Sequence, residues 1–101
     1  MEFFRSHILL AVDDMSLKSG VKEIEQELKK QLIKNNLIEE INVLETGTLS
    51  YFGTGISMVV YPDQITYINL QKKDMEEIVE EHFLKGRPVD RLRLHADLMR
   101  Q

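Results

Sequence analysis

The sequence contains no cysteine, and this absence excludes several kinds of chemistry. Without cysteine the chain forms no disulfide, carries out no thiol redox chemistry and offers no thiolate to a metal ion. Long apolar runs are also missing, since none approaches the roughly 20 residues that a helix needs to span a bilayer. We therefore expect neither a redox-active thiol nor insertion into a membrane.

Positive charge is in the minority, with 13 Lys and Arg against 17 Asp and Glu and a formal net charge of −4. This balance argues against a nucleic-acid partner, which favours a basic face. The N-terminus carries an acid, Glu2, where a secretory signal has positive charge, and the apolar run that follows is short. These features predict a cytoplasmic protein.

The chain has 101 residues and a mass of 11.8 kDa, which is enough for one domain with one core. Its hydrophobic content of 43 % and charged content of 30 % are typical of globular proteins. We place the domain at residues 1–88 and interpret residues 89–101 as a C-terminal tail or a short helix.

Hydrophobic periodicity predicts four strands and two main helices. The continuous apolar run at 8–12 is typical of a strand buried on both faces. A loop follows, and an amphipathic helix is predicted over 19–35, with Ser16 or Ser19 as its N-cap. A second helix is predicted over 72–84, closed by Gly86. The remaining strands are predicted at 41–44, 56–61 and 65–70.

The order of these elements indicates the fold class. A strand, a long crossover helix and a second strand form a βαβ unit, whose two strands are parallel. The next two strands are joined by the short turn 62–64, so they form an antiparallel hairpin. The predicted fold is α/β and thioredoxin-like, β-α-β-β-β-α, with a four-stranded mixed sheet and helices on its faces.

A glycine-punctuated loop, ETGTLSYFGTG at 45–55, is the most distinctive stretch of the chain. Together with ILLAVDDMSLKSG at 8–20, VVYPD at 59–63 and the segment 74–92, it resembles the thioredoxin-like [2Fe-2S] ferredoxin domains. The version that it resembles most is the N-terminal domain of the flavin-binding subunit of NADH dehydrogenases and of NAD(P)-linked, electron-bifurcating hydrogenases.

The resemblance implies four cluster-ligand positions, and none of them holds a cysteine here. In relatives that bind the cluster, cysteines stand at the positions that are Ala11, Ser16, Thr48 and Phe52 in this sequence. Clusters of this type need thiolate ligands, so we expect no cofactor and no metal. The four replacements differ from one another, which favours natural loss of the cluster over deliberate removal.

Loss of a cluster leaves space between the two ligand loops, and empty interior space is destabilising. The sequence offers bulky side chains as fillers at Met15, Leu49, Tyr51 and Phe52. We expect Phe52 or Tyr51 to turn inward and occupy the former cluster space.

Two functions are compatible with these patterns. The first is a non-catalytic, cluster-less interaction domain or small subunit of an NAD(P)H-linked electron-transfer complex, either as a free subunit or as part of a larger protein. The alternative is an electron carrier or oxidoreductase component in its own right. The absence of cysteine and of any cofactor fingerprint argues against this alternative and against an enzyme.

The tail is the predicted contact with protein subunits or with a second copy of the chain. Its apolar side chains exceed what a free tail should expose, and they are Val89, Leu92, Leu94, Leu98 and Met99. The edge strand 65–70 is a second candidate, through strand pairing. We predict no catalytic residue, because the paired acids and the scattered His7, His82 and His95 fit ordinary surface or core positions.

Overall fold

The structure is a computed structural model, and it describes residues 3–47 and 55–94. Its regular elements are four strands and three helices, followed by a short 3-10 turn. In chain order they are β1 (Ser6–Ala11), α1 (Asp14–Lys18), α2 (Val21–Lys34), β2 (Ile41–Thr46), β3 (Met58–Tyr61), β4 (Ile65–Tyr67), α3 (Asp74–Glu77, continuing as a π-helix over Ile78–Leu84) and the 3-10 turn Asp90–Leu92.

The four strands form one mixed sheet in the order β2-β1-β3-β4. The first two strands are parallel, with Ile8 opposite Val43, while β1 and β3 are antiparallel, with Ile8 opposite Val60. β3 and β4 form an antiparallel hairpin in which Val60 lies opposite Ile65. This topology confirms the predicted βαβ unit followed by a hairpin.

The core lies on one face of the sheet, under α2 and α3. Along β1, the fully buried Ile8 and Leu10 alternate with the half-buried His7 and Leu9. The prediction that this strand is buried on both faces is therefore wrong for its middle residues. An apolar stripe of α2 covers the buried face, and it consists of Val21, Ile24, Leu28 and Leu32.

Helix α1 occupies a stretch that the sequence patterns assign to a loop. Asp13 caps it, because one carboxylate oxygen of Asp13 accepts a hydrogen bond from the backbone N–H of Ser16. The long helix α2 then begins at Val21, after Gly20 in a left-handed conformation with φ of 93°. Neither Ser16 nor Ser19 caps α2, because the turn at Gly20 separates both of them from it.

The bounds of the four strands and of the last helix also differ from the sequence-based ones. β2 continues to Thr46, and β4 ends at Tyr67 because Asn69, at φ of 53°, takes the backbone out of the extended region. The second half of the predicted helix 72–84 is a π-helix. Gly86, at φ of 73°, follows its end as predicted.

The segment after the last helix packs alongside β4 and pairs with it. The backbone N–H of Ile68 donates to the carbonyl oxygen of Leu92 at 3.0 Å, and that of Leu94 donates to Thr66 at 2.8 Å. The outer edge of β4 is therefore covered by the chain itself. The prediction that this edge pairs with a partner strand is wrong for these residues. Among the described residues, no helix is long and apolar enough to cross a membrane.

Candidate functional site

Ala11 is the first of the four implied ligand positions, and it ends the central strand. It lies opposite Thr46 of β2, and its backbone N–H donates to the carbonyl oxygen of Ser57 at 3.1 Å. The residue is buried, and its side chain is a methyl group without a lone pair. This position is now part of the sheet and its packing, and it offers nothing to a metal ion.

Ser16 is the second position, and its hydroxyl is used within the cap of α1. The hydroxyl accepts a hydrogen bond from the backbone N–H of Asp13 at 2.8 Å and donates to the carbonyl oxygen of Asp13 at 3.0 Å. Together with the bond from the Ser16 N–H to the Asp13 carboxylate, this makes a reciprocal capping box. The side chain is buried in this arrangement and stabilises the start of the helix.

Thr48 and Phe52, the third and fourth positions, lie outside the described residues, and so do Leu49 and Tyr51. The prediction that Phe52 or Tyr51 fills the former cluster space therefore stays a prediction. Met15, another proposed filler, is 76 % exposed. It points to solvent because it stands on the outer side of α1, next to the inward-facing Ser16, so its assignment as a filler is wrong.

The donor set does not fit a [2Fe-2S] cluster. Such clusters are held by thiolates, and the chain has none. Of the two ligand positions that the structure describes, one offers a methyl group and the other a hydroxyl engaged in a helix cap. Within residues 3–47 and 55–94, no group of three or more His, Asp or Glu side chains is arranged to hold a metal ion.

An ion-pair cluster joins the start of α2 to the end of β2, directly before the glycine-rich loop. The Lys22 ammonium contacts the Glu45 carboxylate at 2.5 Å and Glu25 at 3.8 Å. The hydrogen bond from Lys22 lowers the pKa of Glu45, while burial, followed by the neighbouring Glu45, raises the pKa of Glu25. The cluster links the first turn of α2 to Glu45 near the end of β2.

A buried polar network lies at the β4 edge of the sheet, and the sequence patterns did not indicate it. The phenol oxygen of Tyr67 lies 2.7 Å from Nδ1 of His82, whose Nε2 lies 2.6 Å from a carboxylate oxygen of Asp63. The backbone N–H of Val89 donates to the same phenol oxygen at 3.0 Å. The three side chains stand on β4, on the last helix and in the hairpin turn, so no local spacing relates them.

The predicted partner contacts of the tail divide into three groups. Val89 and Leu92 are 6 % and 7 % exposed and belong to the core of this chain, while Leu94 is half-buried. Leu98 and Met99 lie outside the described residues. Val89 and Leu92 therefore do not form an exposed apolar surface. A partner contact through Leu94, Leu98 or Met99 stays a prediction. The domain boundary at residue 88 also stays a prediction.

Comparisons with known proteins agree with this architecture. A curated "Ferredoxin, 2Fe-2S" of Clostridium pasteurianum is 36 % identical over 72 residues, which cover 71 % of this chain and 71 % of the relative. A second curated "Ferredoxin, 2Fe-2S", from Aquifex aeolicus (strain VF5), is 40 % identical over 50 residues, half of this chain and 45 % of that protein. No family model matches the chain.

Among solved structures, the wild-type thioredoxin-like [2Fe-2S] ferredoxin from Aquifex aeolicus superposes with a TM-score of 0.82 at 28 % identity. The match covers 94 % of this chain and 99 % of that one. Another structure of a thioredoxin-like [2Fe-2S] ferredoxin from the same organism gives a TM-score of 0.83, also at 28 % identity. The fold predicted from the sequence is confirmed, and the chain belongs to the thioredoxin-like [2Fe-2S] ferredoxins, although it has no cysteine with which to hold their cluster.

Proposed function

We propose that the protein is a cluster-less ferredoxin-like interaction domain or small subunit of an NAD(P)H-linked electron-transfer complex, of the NADH dehydrogenase or hydrogenase type. The main observation behind this proposal is that two of the four cluster-ligand positions have structural roles in this chain. Ala11 is built into the sheet and Ser16 into a helix cap. On this proposal, the scaffold keeps the fold of a ferredoxin and acts without a bound cluster.

The resemblance of the sequence segments supports the type of partner. The segments 45–55 and 74–92 match the pattern of the domain that precedes the flavin- and NAD(H)-binding module in such complexes. A domain of this shape can still occupy a position between subunits, since docking depends on surface shape and chemistry and not on the metal.

The surface around Ser16 supports docking at that end of the sheet. Two apolar side chains on α1, Met15 and Leu17, are exposed on either side of the buried Ser16. Each of these side chains leaves apolar area at this end of the sheet that a partner can cover. The residues Leu94, Leu98 and Met99 of the tail are a second proposed contact, either with a partner subunit or with another copy.

A binding measurement with a defined partner tests the proposal. The purified chain is titrated, by calorimetry, with the purified flavin-binding subunit of the NADH dehydrogenase or NAD(P)-linked hydrogenase from its own organism. We expect a one-to-one complex with the intact chain. The double variant Met15→Ser, Leu17→Ser should bind at least about tenfold more weakly, since it removes apolar area from the contact.

Leu84→Ser is the matched control. Leu84 is also exposed, but it lies at the opposite end of the sheet, where Arg5, just before β1, donates to the carbonyl oxygen of Phe83 at 2.6 Å. The Leu84→Ser variant should bind the flavin-binding subunit with the affinity of the wild type. The proposal is wrong if neither flavin-binding subunit binds, and docking through α1 is wrong if the Leu84 variant loses as much affinity as the double variant.

A further inference from the structure

Residues 89–94 form a segment that lies along β4 and covers one edge of the sheet. Two backbone hydrogen bonds join the segment to β4, and the side chains of Val89 and Leu92 pack in the core. The connection that precedes it, 84–87, is exposed. A segment that follows an exposed connection can separate from the fold locally, at a lower free energy than unfolding of the whole domain.

The phenol of Tyr67 connects this segment to His82. The backbone N–H of Val89 donates to the phenol oxygen at 3.0 Å, and the same oxygen lies 2.7 Å from Nδ1 of His82. Because the backbone N–H can only donate, the phenol oxygen accepts that bond and directs its own O–H to Nδ1. The imidazole then carries its proton on Nε2, which lies 2.6 Å from a carboxylate oxygen of Asp63.

The surroundings keep the imidazole and the phenol in this arrangement. Phe83 stacks on the ring of His82, with 4.7 Å between the ring centroids and 7° between the planes. Tyr67 is fully buried, and burial raises the pKa of its phenol to about 12, so the O–H keeps its proton at neutral and acidic pH. While the segment is in place, the phenol therefore needs an acceptor, and Nδ1 is that acceptor.

We propose that His82 is a pH-sensitive latch, which holds residues 89–94 against β4 while its ring is neutral and releases them when Nδ1 is protonated. The proton comes from water, an N–H bond forms at Nδ1, and no covalent bond breaks. Nδ1 then donates to the phenol oxygen of Tyr67, whose O–H loses its acceptor in a site that water does not reach. Opening of the segment brings water to the phenol. The proposal does not depend on the docking function.

The direction of the pH effect follows from the number of protons that each form binds. The open form accepts a proton on Nδ1 without leaving a buried O–H unpaired, so it binds more protons than the closed form. The closed form is therefore favoured at high pH, and its advantage falls as the pH decreases. In the proposed opening, Asp63 keeps its contact with Nε2, so it stabilises the charged ring in both forms.

Other charged groups also act on the phenol or on the segment. They stand in the hairpin turn, on α3 and in the segment itself, and they are Asp63, Asp74, Glu77, Asp90, Arg91 and Arg93. Above about pH 5.5, carboxylates and guanidinium groups ordinarily keep their charge, whereas imidazole changes its own. A transition between about pH 5.5 and about pH 7.5 therefore reports on histidine.

Amide hydrogen exchange of the full chain, followed by NMR, tests the proposal. The reporters are the backbone N–H groups of Ile68 and Leu94, which bond the segment to β4, and that of Ala11, which bonds to Ser57, is the reference. We expect the protection factors of the two reporters to fall at least about tenfold from about pH 7.5 to about pH 5.5, after correction for intrinsic exchange. The protection factor of Ala11 should change by less than about twofold.

Three variants assign the effect to the latch. His82→Gln does not titrate but keeps an acceptor and a donor, and Tyr67→Phe lacks the phenol, so neither should show the fall. His7→Gln is the matched control, since His7 is a half-buried histidine on β1, and it should behave as the wild type. A fall that persists in His82→Gln or Tyr67→Phe, or that disappears in His7→Gln, overturns the proposal. An equal fall at Ala11 also overturns it.

Nitrogen-15 shifts of the His82 ring give a test on the wild type alone. The ring should carry its proton on Nε2 at about pH 7.5 and protons on both nitrogens at about pH 5.5, with the same midpoint as the fall in protection. A ring that stays neutral at the lower pH overturns the proposal, and so does a protonated ring with unchanged protection of Ile68 and Leu94.

Discussion

The guanidinium of Arg91 donates a hydrogen bond to the buried carboxylate of Asp74 at 3.1 Å, and this contact joins the C-terminal segment to the start of α3. Asp74 is 2 % exposed, and its other oxygen accepts a hydrogen bond from the backbone N–H of Gln71. Arg91 also contacts Glu77. A buried carboxylate of this kind depends on its cation, because an unpaired charge in the interior is strongly unfavourable.

Arg91→Met should therefore destabilise the protein. The substitution keeps most of the apolar length of the side chain but leaves the Asp74 carboxylate without its cation, so we expect a loss of about 2 kcal/mol in the free energy of unfolding. Urea unfolding followed by circular dichroism measures it. The control is Arg87→Met, which removes only a surface ion pair with Glu81 and should change the free energy by less than about 0.5 kcal/mol. Equal effects of the two variants would contradict the prediction.

Stability should fall at alkaline pH because of Tyr67. Its pKa is raised from 10.0 to about 12 in the folded protein, so between these values the unfolded chain releases a proton that the folded chain retains. The contribution is fully present below pH 10 and is lost as the pH rises toward 12, by about 3 kcal/mol in total. Urea unfolding between about pH 9 and about pH 11, which covers the onset of this loss, compares the wild type with Tyr67→Phe. The variant is less stable below pH 10 but should show the shallower alkaline decline, and equal slopes would rule out a raised pKa.

Removal of the C-terminal segment should expose the edge of β4. A chain ending at residue 88 loses the burial of Val89 and Leu92, worth about 3 kcal/mol or more, and leaves the backbone groups of β4 unpaired. We expect lower stability and self-association, measured by urea unfolding and sedimentation velocity. A chain ending at residue 94 keeps the pairing with β4 and should have the stability of the full chain. A fall in mass on truncation would instead support the proposed contact of the tail with another copy.

Restoring four thiolates should restore metal binding if the ligand positions are carried over correctly. The variant with cysteine at Ala11, Ser16, Thr48 and Phe52 should take up about two iron atoms per chain, with visible absorbance, after anaerobic incubation with iron and sulfide. The wild type should take up none. Before loading, the variant should be less stable by about 1 kcal/mol, because the cap hydroxyl of Ser16 is lost. Iron at cluster stoichiometry in the wild type would overturn the proposed loss of the cofactor.

The fold could be predicted from the sequence because its main signals are local and periodic. The apolar run around Ile8 and Leu10 and the helical spacing of Val21, Ile24 and Leu28 specify the strand and the helix directly. The short helix α1 could not be identified with the same certainty, since five residues show no period, although Asp13 followed by Ser16 three residues later is a capping pattern.

The placement of the tail and of the polar network could not be predicted, because both depend on contacts between distant parts of the chain. Val89 has the same helical spacing with Leu92 whether the segment binds a partner or its own core. His82 lies on a predicted helix face, but its partners Asp63 and Tyr67 stand 19 and 15 residues away. Only the sheet register and the packing of the last helix bring them together.

The reciprocal cap formed by Asp13 and Ser16 makes the loss of iron difficult to reverse in evolution. Replacing Ser16 alone by cysteine removes hydrogen bonds that stabilise α1. Three further thiolates are needed before a bound cluster can offset that loss of stability. Any intermediate sequence that carries Ser16→Cys therefore lacks these hydrogen bonds and still has no metal centre. Selection for stability alone would keep this lineage free of iron.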